Sequence, residues 1–155
     1  MSEQTKRMQI LQKVAFEADN FYDEVKTLGE KASVALSSRK RSQITNLQGI
    51  TNSTLKVSDV LDYIKTQTAR DARQKDAHKK LGWHRENFGI ILLQFVEEGT
   101  LFQKKKYIYS DLEMNSDLKL DKSIDGQEIY LLLIRAAMRQ LAAQYEFTNF
   151  RNEEK

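Results

Sequence analysis

An all-α fold follows from three observations: the chain lacks proline, carries only six glycines in 155 residues, and repeats its apolar residues at helical spacing through most of its length. Proline makes up about 5% of ordinary domains and interrupts both helix interiors and central strands, so its absence favours long uninterrupted helices. A chain of this length suits one hydrophobic core. We read residues 1–155 as a single domain, with an N-terminal long helix (1–36) followed by a helical bundle core (37–150). The expected architecture is a five-helix-type bundle with a long loop or short hairpin before the last helix.

The elements follow in order. From Thr5 to Leu36 two interleaved heptad series, Leu11, Ala18, Val25, Ala32 and Val14, Phe21, Leu28, Ala35, predict one long amphipathic helix softened at Gly29. Its alanine-rich second half allows close approach by another helix, within the molecule or from another subunit. Ser37 or Ser38 can cap a short second helix that carries Ile44 and Leu47 and stops at Gly49. After a polar turn at Thr51–Thr54, the spacing of Val57, Val60, Leu61 and Ile64 predicts a third helix running on toward Lys80, and Gly82 breaks it. A fourth segment, Trp83 to Glu98, is apolar around most of its circumference and is expected at the centre of the fold. The pattern weakens from Gly99 to Asp125, which reads as the loop or hairpin. A last helix opens at Ser123 or Asp125 and reaches Phe147, with Arg151 to Lys155 fraying.

Composition removes several function classes. The chain has no cysteine, which excludes disulfides, thiolate catalysis and cysteine-bound zinc. Its longest apolar run, Ile90 to Leu93, is far short of the roughly 20 residues that cross a bilayer, and the N-terminus lacks an apolar signal core. A cytoplasmic location and no membrane association are therefore expected. His78 and His84, with Asp76 or Glu86, lack the spacing and ligand count of a dedicated metal site. No Ser-His-Asp arrangement or phosphate-binding glycine loop stands out, and helix-start electrostatics accounts for Asp59 and Asp62. The expectation is a protein without catalysis and without a cofactor, with Trp83 as a core anchor.

Charge distribution points to binding instead. The net charge is only +3, but Ser37 to Gly89 holds eleven Lys or Arg against five Asp or Glu. Arg39, Lys40 and Arg41 fall where the first turn of the second helix should be, and cations there oppose the helix macrodipole. A phosphate at that helix start would use these side chains, with Gln43 and Asn46 as further donors. On the third helix Lys65, Arg70 and Arg73, followed by Lys79 and Lys80, extend the positive face. Arg85, Arg135 and Arg139 are candidates to join it after folding. Contacts of this kind give affinity that falls with salt and carries little sequence preference, and no aromatic ladder for stacking bases is visible.

Three short stretches carry a resemblance. Ser42-Gln43-Ile44 followed by Asn46-Leu47 is similar to the Thr/Ser-Ser-Gln-Ile-Arg stretch that opens the folded core of the small subunit of type III CRISPR effector complexes. Leu61-Asp62-Tyr63-Ile64 with Ala69-Arg70 resembles that family's Leu-x-Tyr segment ending in Arg, and Ala142-Ala143-Gln144-Tyr145 its terminal Ala-x-x-Tyr helix. The match runs through residues 39–147. It departs from the family at Thr45, where the family has Arg, and at the Lys104–Lys106 stretch, which has no counterpart.

The resemblance implies a helical bundle that stacks in copies along a ribonucleoprotein, beside its backbone and large subunits. It also implies non-catalytic contacts to the backbone of guide RNA and target RNA. Base pairing supplies sequence in such complexes, so a basic face is what the protein must contribute. Two alternatives remain: a stand-alone winged-helix-type DNA-binding protein with Leu101 to Leu120 as the wing, and a structural helical adaptor.

Overall fold

The structure is a computed structural model that describes residues 3–116 and 118–154. Among these residues there are seven α-helices and no strand: α1 (Glu3–Asn20), α2 (Tyr22–Leu36), α3 (Arg41–Ser53), α4 (Val57–Arg73), α5 (Phe88–Glu97), α6 (Thr100–Asn115) and α7 (Asp125–Glu153). Single 3₁₀ turns cover Ser38–Lys40, Ala77–Lys79 and Arg85–Asn87. The all-α bundle is as expected, and among the described residues no helix is long and apolar enough to cross a membrane.

The N-terminal pattern is interrupted at Phe21 rather than at Gly29. Phe21 leaves helical geometry, yet Phe21 N–H bonds the Glu17 carbonyl and Val25 N–H bonds the Phe21 carbonyl, so the junction is a kink between α1 and α2. Seven of the eight heptad positions are buried, while Leu11 is 39% exposed. Both helices lie along α7 and run parallel to it: Lys6 meets Asp125, Gln140 donates to the Ala18 carbonyl, and Ser33 bonds Asn149. Gly29 lets α2 approach α7 closely, since a Cβ there would sit 2.6 Å from the Cβ of Gln144. The heptad seam is therefore filled from within the chain.

The centre of the bundle is α7 and not the Trp83–Glu98 segment. α1, α2, α3, α4 and α6 all pack on α7, which buries Ile129, Leu133, Ile134, Ala137, Leu141 and Tyr145. α5 starts only at Phe88 and leaves Ile90 41% exposed, so its apolar circumference is half used. The expected loop shrinks to the stretch between Asn115 and Asp125, where no described residue is helical or in a strand, because Thr100 to Asn115 forms α6, which turns Leu101, Ile108 and Leu112 into the core. Three further boundaries move. α3 passes Gly49 and ends at Ser53, α4 stops at Arg73 instead of Lys80, and α7 stays helical to Glu153.

Candidate nucleic-acid interface

The last turn of α4 organises the most cationic part of the molecule. α4 turns Val57, Val60, Ile64 and Asp71 to the interior, so an acid occupies the fourth position of an apolar stripe. Asp71 is 4% exposed, and its carboxylate accepts the backbone N–H groups of Leu81 (2.6 Å), Gly82 (3.1 Å) and His84 (2.9 Å). Lys80 Nζ adds a bond to the Asp71 carbonyl at 3.3 Å. Burial pushes the carboxyl pKa up, but the three N–H donors and the nearby Lys80 charge outweigh it and hold Asp71 below the usual carboxylate value. One buried charge thus fixes the path of the chain from Lys80 to His84.

Gly82 is the point where that loop meets α2. Its φ is +107°, and a Cβ would run into the Ala35 carbonyl, so only glycine lets the loop close on the end of α2. Behind it Trp83 is fully buried. Its ring stands edge-on to Tyr63 and tilts against Phe88, and its indole N–H donates to Gln43 Oε1 at 2.9 Å. Asn46 completes the group through a hydrogen bond to the Tyr63 hydroxyl.

Between the loop and the end of α2 lies a cleft of about 570 Å³, into which Arg39, Lys40, His78, Lys80, His84 and Arg85 converge. Asp71 is the single acid on its wall, and its oxygens are taken by backbone N–H groups. The same holds nearby: Asp59 accepts the Thr54 hydroxyl and Asp76 accepts His78 N–H. Of the eleven Lys and Arg between Ser37 and Gly89, only Arg41 and Lys65 form ion pairs among the described residues.

Backbone strain collects at the same rim. All three non-glycine residues with positive φ among those described are Ser37 (φ 55°, ψ 176°), Glu86 (φ 56°) and Asn87 (φ 57°). Ser37 lines the cleft and the other two follow Arg85 directly. Each such position costs about 1–3 kcal/mol and persists only where surrounding structure imposes it. At Ser37 that structure is visible: Tyr145 donates its hydroxyl to the Ser37 carbonyl, Ser37 N–H bonds the Ser33 carbonyl, and Ser37 Oγ accepts Arg39 N–H.

The residues expected to form one face are divided. Arg39, Lys40 and Arg85 share the cleft, joined by His78, Lys80 and His84. Arg41 is not free for a phosphate at the helix start, because Glu146 of α7 meets it at 2.6 Å and neutralises the misplaced charge. Gln43 and Asn46 are committed to Trp83 and Tyr63 and serve the fold. Arg135 is likewise structural: it donates to the carbonyls of Thr51 (2.9 Å) and Thr54 (3.0 Å), closing the C-terminal end of α3. Arg139 is exposed on α7, one turn beyond Arg135.

Lys65, Arg70 and Arg73 do not make a single stripe. Lys65 and Arg70 are about 140° apart on a helix with 3.6 residues per turn. Lys65 pairs with Glu97 of α5 at 3.0 Å, whereas Arg70 borders a groove toward α3 that also holds Asp59 and Asp62. Arg73 is exposed and forms no ion pair.

Sequence reasoning passed over His78 and His84 as cleft residues and Asp71 as the organiser of the loop, while Lys80, expected on the positive face of the third helix, lies beyond the end of α4 on that loop. A signal was present, since an acid seven residues after Ile64 continues the buried stripe of α4. His78 and His84 both border the cleft, but among the described residues no group of three or more His, Asp or Glu is placed to hold a metal ion. Comparison of the chain with family models, curated proteins and solved structures found no match.

Proposed function

We propose that the protein is a non-catalytic binder of nucleic-acid backbone, acting in the cytoplasm as the small subunit of an RNA-guided type III interference complex. The observation that carries the binding half is the cleft: six cationic or protonatable side chains converge on it, and its one acid, Asp71, is turned to the backbone N–H groups of the loop. Such a concentration of unpaired charge on strained backbone attracts phosphate oxygens and has no folding purpose of its own. The assembly half rests on the sequence resemblance, with guide RNA and target RNA, the backbone and large subunits, and neighbouring copies as partners. It is supported by the clustering of motif residues Gln43, Asn46 and Tyr63 behind the cleft.

The winged-helix alternative loses its wing, because Leu101 to Leu120 carries α6 in place of strands. The test is co-purification from the native host. Guide RNA and larger subunits should accompany the unsubstituted chain and be lost on Arg39→Glu/Arg85→Glu, while Arg41→Glu should have a smaller effect. Recovery of the chain with protein partners that survive high salt and carry no RNA would contradict the proposal and favour a structural adaptor.

A further inference from the structure

The Lys104–Lys106 stretch lies on α6, and its three side chains have three different surroundings. Lys104 turns toward α1 and meets the buried Glu17 at 2.6 Å, which accounts for it structurally. Lys105 has no such partner. Its ammonium sits 4.5 Å from the centroid of the Phe102 ring and 4.8 Å from that of Tyr130, a site built by two aromatic residues on α6 and α7. The Tyr130 ring is itself fixed, since its hydroxyl donates to the Val96 carbonyl. Lys106 Nζ shares the Phe102 ring, 5.0 Å from its centroid.

What surrounds Lys105 is positive. Burial, and then the charges of Lys106 and Lys122, push its pKa below the ordinary lysine value. None of the three forms an ion pair among the described residues. Ring faces hold the Lys105 and Lys106 ammonium groups in place, with no carboxylate paired to either among the described residues. An anion would. Next to Lys106, Gln103, Tyr107 and Ser110 complete the exposed stripe of α6, and Tyr107 is 55% exposed. An exposed tyrosine on the same helix as the two ammonium groups suits a nucleotide better than an acidic peptide, because a base has a face to stack and a carboxylate does not.

We propose that Lys105, Lys106 and Lys122 form a second phosphate-binding patch, so that one nucleic-acid strand is held both here and in the cleft. This rests on the reading of the cleft as a backbone site. The distance between the two follows from α7: Tyr130 lies under the patch, and Tyr145 bonds Ser37 at the cleft rim. Fifteen residues of α7 separate them, an axial separation of about 22 Å at 1.5 Å per residue. A strand with stacked bases, advancing 3.4 Å per nucleotide, crosses that distance in roughly seven nucleotides.

The test compares single-stranded RNA of four and twelve nucleotides on three full-length proteins: unsubstituted, Lys106→Glu/Lys122→Glu, and Arg39→Glu/Arg85→Glu. Lys106 and Lys122 are both exposed, so their reversal leaves the bundle intact, and a thermal melt checks this. The patch variant should bind the twelve-mer about tenfold more weakly, with a shallower salt slope, and bind the four-mer like the unsubstituted chain. The cleft variant should lose both. An unchanged twelve-mer affinity and slope in the patch variant would overturn the second contact while leaving the cleft in place. If the unsubstituted chain binds neither RNA in a salt-dependent way, the cleft reading falls and this one with it. Equal competition by polyglutamate of matched charge would overturn the proposal in favour of an acidic protein partner.

Discussion

Two regions of this bundle use charged residues in opposite ways. Along α1, cations are answered from within the chain: Lys6 by Asp125 and Glu3, Arg7 by Glu128, Lys13 by Asp111, and Lys104 by the buried Glu17. Around the cleft, Arg39, Lys40 and Arg85 form no ion pair among the described residues, and the one acid on its wall, Asp71, is held by backbone N–H groups. The α1 seam is thus a fastening, and the cleft is an unsatisfied electrostatic site. The difference shows that a cation's partner, and not the local count of cations, separates structural charge from binding charge.

Substitutions should divide along the same line. The largest effect is expected at Gly82→Ala, which combines positive φ with a clash against the Ala35 carbonyl; a loss of about 4 kcal/mol or more, read by denaturant unfolding, would empty the folded state. Asp71→Ala leaves three backbone N–H groups without an acceptor and should cost about 3 kcal/mol, with RNA affinity falling as the Lys80–His84 path loosens. On the seam, Lys104→Gln strips the buried Glu17 of its counter-charge and should cost about 2 kcal/mol in the same assay, with RNA affinity unchanged. The smallest change has the opposite sign. Ser37→Gly relieves the strained backbone and, less the lost Oγ cap, should raise stability by about 1 kcal/mol.

Asp71 also sets a pH dependence. Its folded pKa lies below 3.8, so its contribution is fully present above the carboxylate range and is lost as pH falls through the depressed folded value. The stability gap between the unsubstituted chain and Asp71→Asn should therefore be constant from about pH 5 to 7 and shrink below 3.8. A gap that widens on acidification would show that Asp71 is not the charged acceptor of the loop.

Much of the fold was legible because burial repeats at helical spacing. Val57, Val60 and Ile64 marked α4, and the heptads from Val14 to Ala35 marked the surface laid against α7. α6 was not legible, since Tyr107-Ile108-Tyr109 alternates like a strand and the lysine run dilutes its apolar stripe. Only packing against α1, α5 and α7 makes Leu101, Ile108 and Leu112 a helical face. The site was legible in part. Its charge excess was plain in the composition, but the sorting depended on contacts between distant residues: Arg41 with Glu146, Gln43 with Trp83, and Arg135 with the end of α3. Asp71 and Glu17 did leave a trace, each being an acid on an otherwise apolar helix face.

The most direct test of the cleft as a binding site is the salt dependence of RNA affinity for the unsubstituted chain and for Arg39→Glu/Arg85→Glu. The unsubstituted chain should show log affinity falling linearly with log salt, and the variant should lose at least about one unit of that slope while unfolding at the same denaturant concentration. Superimposable slopes for two equally folded proteins would contradict the account.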